Sequence, residues 1–135
     1  MATVLIVDDE ISMREFLEIL LSAEGYDVLS APNIKQALAL AEEHRPDLVF
    51  SDLRLPDGSG MEVLAWMRQH HPDGQVIMIT AYASTETAVE AMRQGAYDYL
   101  IKPFDPDALE ALITRCAEKR RLSAELNREK IMRAE

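Results

Sequence analysis

Five short apolar runs constrain this chain more than any other feature: residues 4–7, 28–29, 48–50, 76–79 and 97–101. They are rich in β-branched side chains and do not alternate with polar ones. A strand with one face in water alternates, so these runs predict strands buried on both faces. Between them lie amphipathic stretches. Phe16, Leu17, Leu20 and Leu21 make one stripe, and Ile34, Ala37, Leu38 and Ala41 make another at the i, i+3, i+4, i+7 spacing. Val63, Leu64 and Met67 follow, then Ala88, Val89 and Met92, then Leu109, Leu112, Ile113 and Cys116. Strand and helix patterns alternate β-α five times. That order predicts an α/β fold: a five-stranded parallel sheet, doubly wound, with helices on both faces. The common strand order for such a sheet is 2-1-3-4-5, with ligands bound at the carboxyl ends of the strands where the order reverses.

Local signals punctuate the helices. Ser12 with Glu15, and Ser59 with Glu62, read as capping boxes. Asn33 and Ser84 read as N-caps, and Asp105-Pro106 sets a cap residue before a first-turn proline. Gly25, Gly74 and Gly95 sit where helices should stop. The last helix is expected to run from about Pro106 to about Met132, with no Gly or Pro to end it. Residues 1–118 are thus expected to form one domain and residues 119–135 a helical linker extending its last helix. Leu122 and Leu126 in that extension read either as a coiled-coil seam or as a solvated, fraying face.

Charge narrows the function classes. The chain carries −10, yet residues 119–135 hold six basic and three acidic residues, which leaves −13 on residues 1–118. So acidic a body repels nucleic acid and suits a divalent cation or a basic partner. The single cysteine, Cys116, excludes an internal disulfide and reads as a packing residue in a reduced, cytoplasmic setting. No signal peptide is expected, and no apolar run approaches the roughly 20 residues that span a bilayer.

The polar residues at the strand ends carry the chemistry. The first strand ends at Asp8-Asp9-Glu10, the third at Ser51-Asp52, the fourth at Thr80 and the fifth at Lys102-Pro103. In the order 2-1-3-4-5 the second strand is an edge and offers no charge. The first and third are neighbours across the switch point, which brings Asp8, Asp9 and Asp52 together, with Thr80 beside Asp52 and Lys102 one strand further on. Carboxylates at close range either raise their pKa values or take up a cation, and hard oxygen ligands favour Mg²⁺. A carboxylate can also act as nucleophile toward phosphorus and become an acyl phosphate.

Asp8-Asp9, Asp52, Thr80-Ala81 and Lys102-Pro103-Phe104 together resemble the signature of response-regulator receiver domains, over about residues 3–118. The stretch from Ala96 to Asp105 is similar to the receivers of NtrC-type, sigma-54-dependent activators. The resemblance implies a CheY-like (flavodoxin-like) fold and a phosphorylation switch rather than a conventional enzyme. It implies Asp52 as phosphoacceptor, Mg²⁺ held by Asp9 and Asp52 with Asp8 direct or through water, and the backbone carbonyl of Arg54 as a further ligand. Thr80 and Lys102 would bind the phosphoryl group, and Thr80 with Tyr99 would form the switch. Arg54 and Tyr82, two residues after Asp52 and Thr80, would set the phosphate's lifetime, against the alternative that they are ordinary exposed residues. The implied partners are a sensor histidine kinase and a second copy of the chain, bound through helix 4, strand 5, helix 5 and the C-terminal extension. The ATPase and DNA-binding modules of such activators are not in the sequence, so neither direct nucleic-acid binding nor membrane binding is expected of it.

Three other readings compete. A phosphatase turning over external substrates through an aspartyl phosphate usually carries Asp-x-Asp after the first strand, whereas here Asp52 follows the third. A flavin module would need amides and hydroxyls where Asp8-Asp9-Glu10 stands. A constitutive interaction module that has lost switching is disfavoured by the complete acid set.

Overall fold

The computed structural model describes residues 2–81 and 84–118. The chain divides into two compact units, one ending at Lys102 and one beginning at Pro103. The first contains a five-stranded sheet of β1 (Thr3–Val7), β2 (Asp27–Ala31), β3 (Leu48–Asp52), β4 (Gln75–Thr80) and β5 (Asp98–Ile101). The order is β2-β1-β3-β4-β5, with every pairing parallel. This is the architecture the alternating pattern predicts. The burial of the strands follows from it. β3 is buried at every position and β1 and β4 at all but their first residue. The edge strands β2 and β5 are mostly half-buried.

The helices of this unit are α1 (Ile11–Ala23), α2 (Ile34–His44), α3 (Met61–His70) and α4 (Thr85–Arg93). Leu5, Val7, Val49, Val76 and Met78 of the sheet pack with Ile34, Ala37, Ala41, Val63, Leu64, Met67 and Ala91 of the helices in one core cluster. Two stripes are turned relative to expectation. In α1, Leu17 and Leu21 are buried while Phe16 is 40% exposed. In α4 only Ala91 is buried, and Val89 and Met92 are 48% and 47% exposed. The small side chains of α4 face inward and its large apolar ones face out. Hydrophobicity alone misorders such a helix, because the inward face is chosen by fit as well as by transfer energy.

The caps divide in the same way. Asn33 accepts from the Gln36 amide at 2.8 Å, and Asp105 accepts from the Asp107 amide at 2.9 Å, where residues 106–118 form the helix (α5) of the second unit. Leu109, Leu112, Ile113 and Cys116 are its buried stripe. Ser84 heads a full capping box, with Thr87 rather than an acid as the reciprocal partner. The Ser12–Glu15 box is not formed. Helix α1 begins earlier, at Ile11, with Glu10 as N-cap and no side-chain cap bond. At Ser59 the two halves survive, Ser59 N donating to Glu62 Oε2 at 3.2 Å and Met61 N donating to Ser59 Oγ at 3.1 Å, but the helix starts after Gly60. Gly25 and Gly95 follow their helices with φ of +92° and +102°, as helix-stopping glycines do. Gly74 serves packing instead: a Cβ there would lie 2.6 Å from Met67 Cε and 2.9 Å from the Pro46 carbonyl. The extension expected at residues 119–135 lies outside the described residues.

One contact ties the loop after β3 to its neighbour. Asp57, in the turn between the short paired segments Arg54–Leu55 and Gly58–Ser59, accepts from the amides of Ile34 at 2.9 Å and Lys35 at 3.1 Å. It caps α2 from another part of the chain, and the Ile34 amide holds its carboxyl below the usual carboxylate range. A folded pKa below the unfolded one adds stability above the ordinary carboxylate range and loses it as pH falls through the lowered value. Asp57→Ala should therefore lower the urea midpoint at neutral pH, and the gap to the parent should close in acid. Urea titrations of both chains across the acid range check this.

Candidate functional site

The site forms because four parallel strands end together. Val7 lies opposite Ser51 in the register of β1 with β3, so Asp8 and Asp52 emerge side by side one residue later. Asp52 lies opposite Ile79, which sets Thr80 beside it, and Thr80 lies opposite Ile101 in β5, which sets Lys102 next. Lys102 N donates to the Thr80 carbonyl at 2.9 Å, extending the ladder to the edge of the site. Apolar strands thus deliver four polar groups to one rim. Asp8 is 2% exposed, Asp52 6% and Thr80 0%.

The Lys102 ammonium organises the charges. It lies 2.7 Å from Asp8 Oδ2, 3.0 Å from Asp52 Oδ2 and 3.5 Å from Glu10 Oε1. Burial pulls its pKa down, but hydrogen bonds to Asp8 and Asp52 outweigh burial and the net shift is upward. Burial pushes the Asp8 carboxyl up; the Lys102 bond and the Glu10 amide pull the other way without cancelling it. Backbone groups align the acids. Glu10 N donates to Asp8 Oδ1 at 2.9 Å and Arg54 N donates to Asp52 Oδ1 at 3.2 Å. Arg14 donates to the Asp8 carbonyl at 2.6 Å.

Carboxylate oxygens of Asp8, Glu10 and Asp52 all lie within 4.8 Å of one another. Three hard oxygen donors this close suit a divalent cation such as Mg²⁺, which tolerates carboxylates and water in one shell. Asp9, expected here as a ligand, is not among these three; Glu10 takes the third position. Asp9 and Glu10 stand in one acidic run, and composition cannot rank them, because which one turns inward is decided by the backbone as it leaves β1.

Gly60 carries no signal of its own in the sequence. A Cβ on it would collide with the Asp52 carbonyl and come within 2.8 Å of Ser51 Oγ, while its amide donates to the Leu53 carbonyl at 2.8 Å. The loop folds back onto the backbone of Asp52 because this residue has no side chain. Tyr99 is half-buried and packs against the core, with its hydroxyl 3.1 Å from Thr87 Oγ1. Arg54 is exposed, and Tyr82 lies outside the described residues.

A sheet of this order with acids, a threonine and a lysine at its carboxyl rim defines a signal-receiving α/β module. The chain belongs to the response regulator receiver domain family, whose sequence model matches residues 4–114. It is 45% identical over 121 residues to the response regulator protein PilR of Pseudomonas aeruginosa, covering 90% of this chain and 27% of that protein. It is 42% identical over 123 residues to the regulatory protein AtoC of Escherichia coli, covering 91% and 27%. The chain spans about a quarter of the length of these relatives, and they bear out the likeness to receivers of NtrC-type sigma-54 regulators. The beryllofluoride-activated NtrC4 receiver domain dimer superposes with a TM-score of 0.84 at 34% identity, covering 89% of this chain and 99% of that one. Receiver domains are signalling switches rather than conventional enzymes. Among the described residues no helix is long and apolar enough to cross a membrane.

The charge balance is testable. Lys102→Met leaves buried carboxylates without their cation and should cost about 3 kcal/mol at neutral pH. A carboxyl whose folded pKa is raised gains stability as pH falls through that value and loses it as pH rises. Part of the Lys102→Met deficit should therefore be recovered in mild acid, and Asp8→Asn should be at least as stable as the parent at pH 7. Urea unfolding of each variant at neutral and mildly acidic pH, without divalent cations, measures both.

Proposed function

We propose that this chain is a phosphorylation switch of a two-component system, in which Asp52 takes a phosphoryl group from the phosphohistidine of a sensor kinase. The observation that carries the reading is the convergence at Asp52: an almost fully buried carboxylate 3.0 Å from the Lys102 ammonium and within 4.8 Å of two further acids. A carboxylate held this way has one electrostatic partner to release and a cation-binding nook to share.

An oxygen of Asp52 attacks phosphorus as the P–N bond to the donor imidazole breaks, and an acyl phosphate forms. Lys102, freed from Asp52 Oδ2, meets one phosphoryl oxygen, and the Thr80 hydroxyl donates to another. Mg²⁺, when bound, neutralises charge on the phosphoryl oxygens. Asp8 and Asp52 would hold it, with Asp9 and the Arg54 carbonyl as the family pattern implies and Glu10 as the acid that the local geometry adds. Arg54 and Tyr82, two residues after Asp52 and Thr80 in the sequence, would set how fast the acyl phosphate hydrolyses itself.

The group adds nearly two negative charges to a site balanced by one lysine. Thr80 shifts toward it and Tyr99 follows, changing the face made by α4 and β5. That face, with residues 119–135, would govern pairing with a second copy and hence an ATPase and DNA-binding output of the sigma-54-dependent kind. The exposed Val89, Met92 and Ile101 support a docking role for α4 and β5. A cytoplasmic location accords with a kinase partner.

Incubation with Mg²⁺ and a small-molecule phosphodonor should add one phosphate, seen by intact-protein mass spectrometry and labile to base. Asp52→Asn should add none. Full labelling of that variant, or sustained turnover of a generic phosphomonoester by the parent, would overturn the reading.

A further inference from the structure

Thr87 is placed by its sequence context as an ordinary polar residue in the first turn of α4, yet its hydroxyl stands at a crossing of four hydrogen-bond partners. Ser84 N lies 3.0 Å from Thr87 Oγ1, the Ser84 carbonyl 3.0 Å, Ser84 Oγ 3.1 Å and the Tyr99 hydroxyl 3.1 Å. A threonine hydroxyl has one proton to give and two lone pairs. The Ser84 amide can only donate, which occupies one lone pair. The Ser84 carbonyl can only accept, which uses the proton. The remaining lone pair is open to the Ser84 and Tyr99 hydroxyls, either of which can donate to it. The same oxygen that closes the helix start is thus the one that meets the Tyr99 hydroxyl.

We propose that Thr87 is a positioning residue that latches Tyr99 to the first turn of α4 in the unphosphorylated state. The inference rests on the reading of Asp52 as phosphoacceptor and Tyr99 as part of the switch, and it names what holds that switch at rest. In this arrangement Lys102 donates to the Asp52 carboxylate at 3.0 Å, a bond that has to open before the lysine can meet a phosphoryl group on Asp52. Tyr99 also borders a cavity of about 480 Å³ lined by Ser84, Thr85, Ala88, Val89 and Ile101, so the ring is not locked by packing on every side. The bond to Thr87 is then a polar contact that fixes the ring's hydroxyl end, and it joins the tyrosine to the helix start. A bond of ordinary net strength changes a two-state equilibrium by a factor of about five.

The test is a double-mutant cycle on the full chain, with beryllofluoride and Mg²⁺ as the probe and calorimetric titration as the readout. Thr87→Val and Tyr99→Phe should each tighten beryllofluoride binding about fivefold by removing the same resting-state bond. The double variant should bind no tighter than either single one. Thr87→Ser, which keeps the hydroxyl, should match the parent. Tyr99→Phe leaves the capping box whole, so its effect cannot come from a weakened helix start. Parental affinity in Tyr99→Phe, or effects that multiply in the double variant, would refute the latch while leaving the phosphoacceptor reading intact. A parent chain that takes up no beryllofluoride would instead refute that reading. A second readout needs no phosphoryl mimic: the ring resonances of Tyr99 in tyrosine-labelled protein should shift in Thr87→Val and stay in place in Thr87→Ser. Unmoved Tyr99 resonances in Thr87→Val would also overturn the proposal.

Discussion

One ammonium group holds the rim of this sheet together. Asp8 and Asp52 leave adjacent parallel strands at the same height, and both are almost wholly buried. Two carboxylates so placed cannot both stay ionised in a low-dielectric setting without a cation. Lys102, delivered by β5 two strands from β3, supplies it at 2.7 and 3.0 Å. The consequence is a site poised against itself. A divalent ion or a phosphoryl group entering here would compete for the same partners and so would rearrange the lysine and both acids at once. Burial raising Asp8 and the acids raising Lys102 are two expressions of that single balance.

Around this centre the loops act as fasteners. The turn after β3 is pinned to α2 by Asp57 and folds against the Asp52 backbone because Gly60 presents no side chain. The start of α4 is closed by Ser84 and Thr87, and the Tyr99 hydroxyl of β5 bonds to that closure. The Asp52 loop is thus tied at several points, whereas the Tyr99 hydroxyl is held at the start of α4 beside open space. A switch needs this contrast, with a rigid reactive centre and a second element whose two positions differ by little free energy.

The face left unburied fits the same scheme. Val89, Met92 and Ile101 are exposed at about half of their surface, on the helix and strand that Tyr99 joins. Exposed apolar side chains grouped on neighbouring elements are what a contact surface presents.

Period and punctuation in the sequence were enough for the architecture. Unbroken β-branched runs require strands buried on both faces, and their alternation with 3.6-period stretches leaves a parallel sheet as the simple solution. The strand ends then placed Asp8, Asp52, Thr80 and Lys102 on one rim, since register follows from strand order. What the chain alone did not decide was any choice between near-equals. Glu10 rather than Asp9 joins the acid cluster, Ala91 rather than Val89 or Met92 faces the core, and α1 starts at Ile11 without Ser12 as its cap. Likewise the bonds of Asp57 to the start of α2 and of Thr87 to Tyr99 join partners distant in the chain, which no local pattern encodes. Periodicity is a property of neighbours in sequence and survives in any window of it. Orientation at a strand end, a helix capped from another loop, or a tyrosine bonded to a helix start depends on which segments meet, and only the folded chain brings them together.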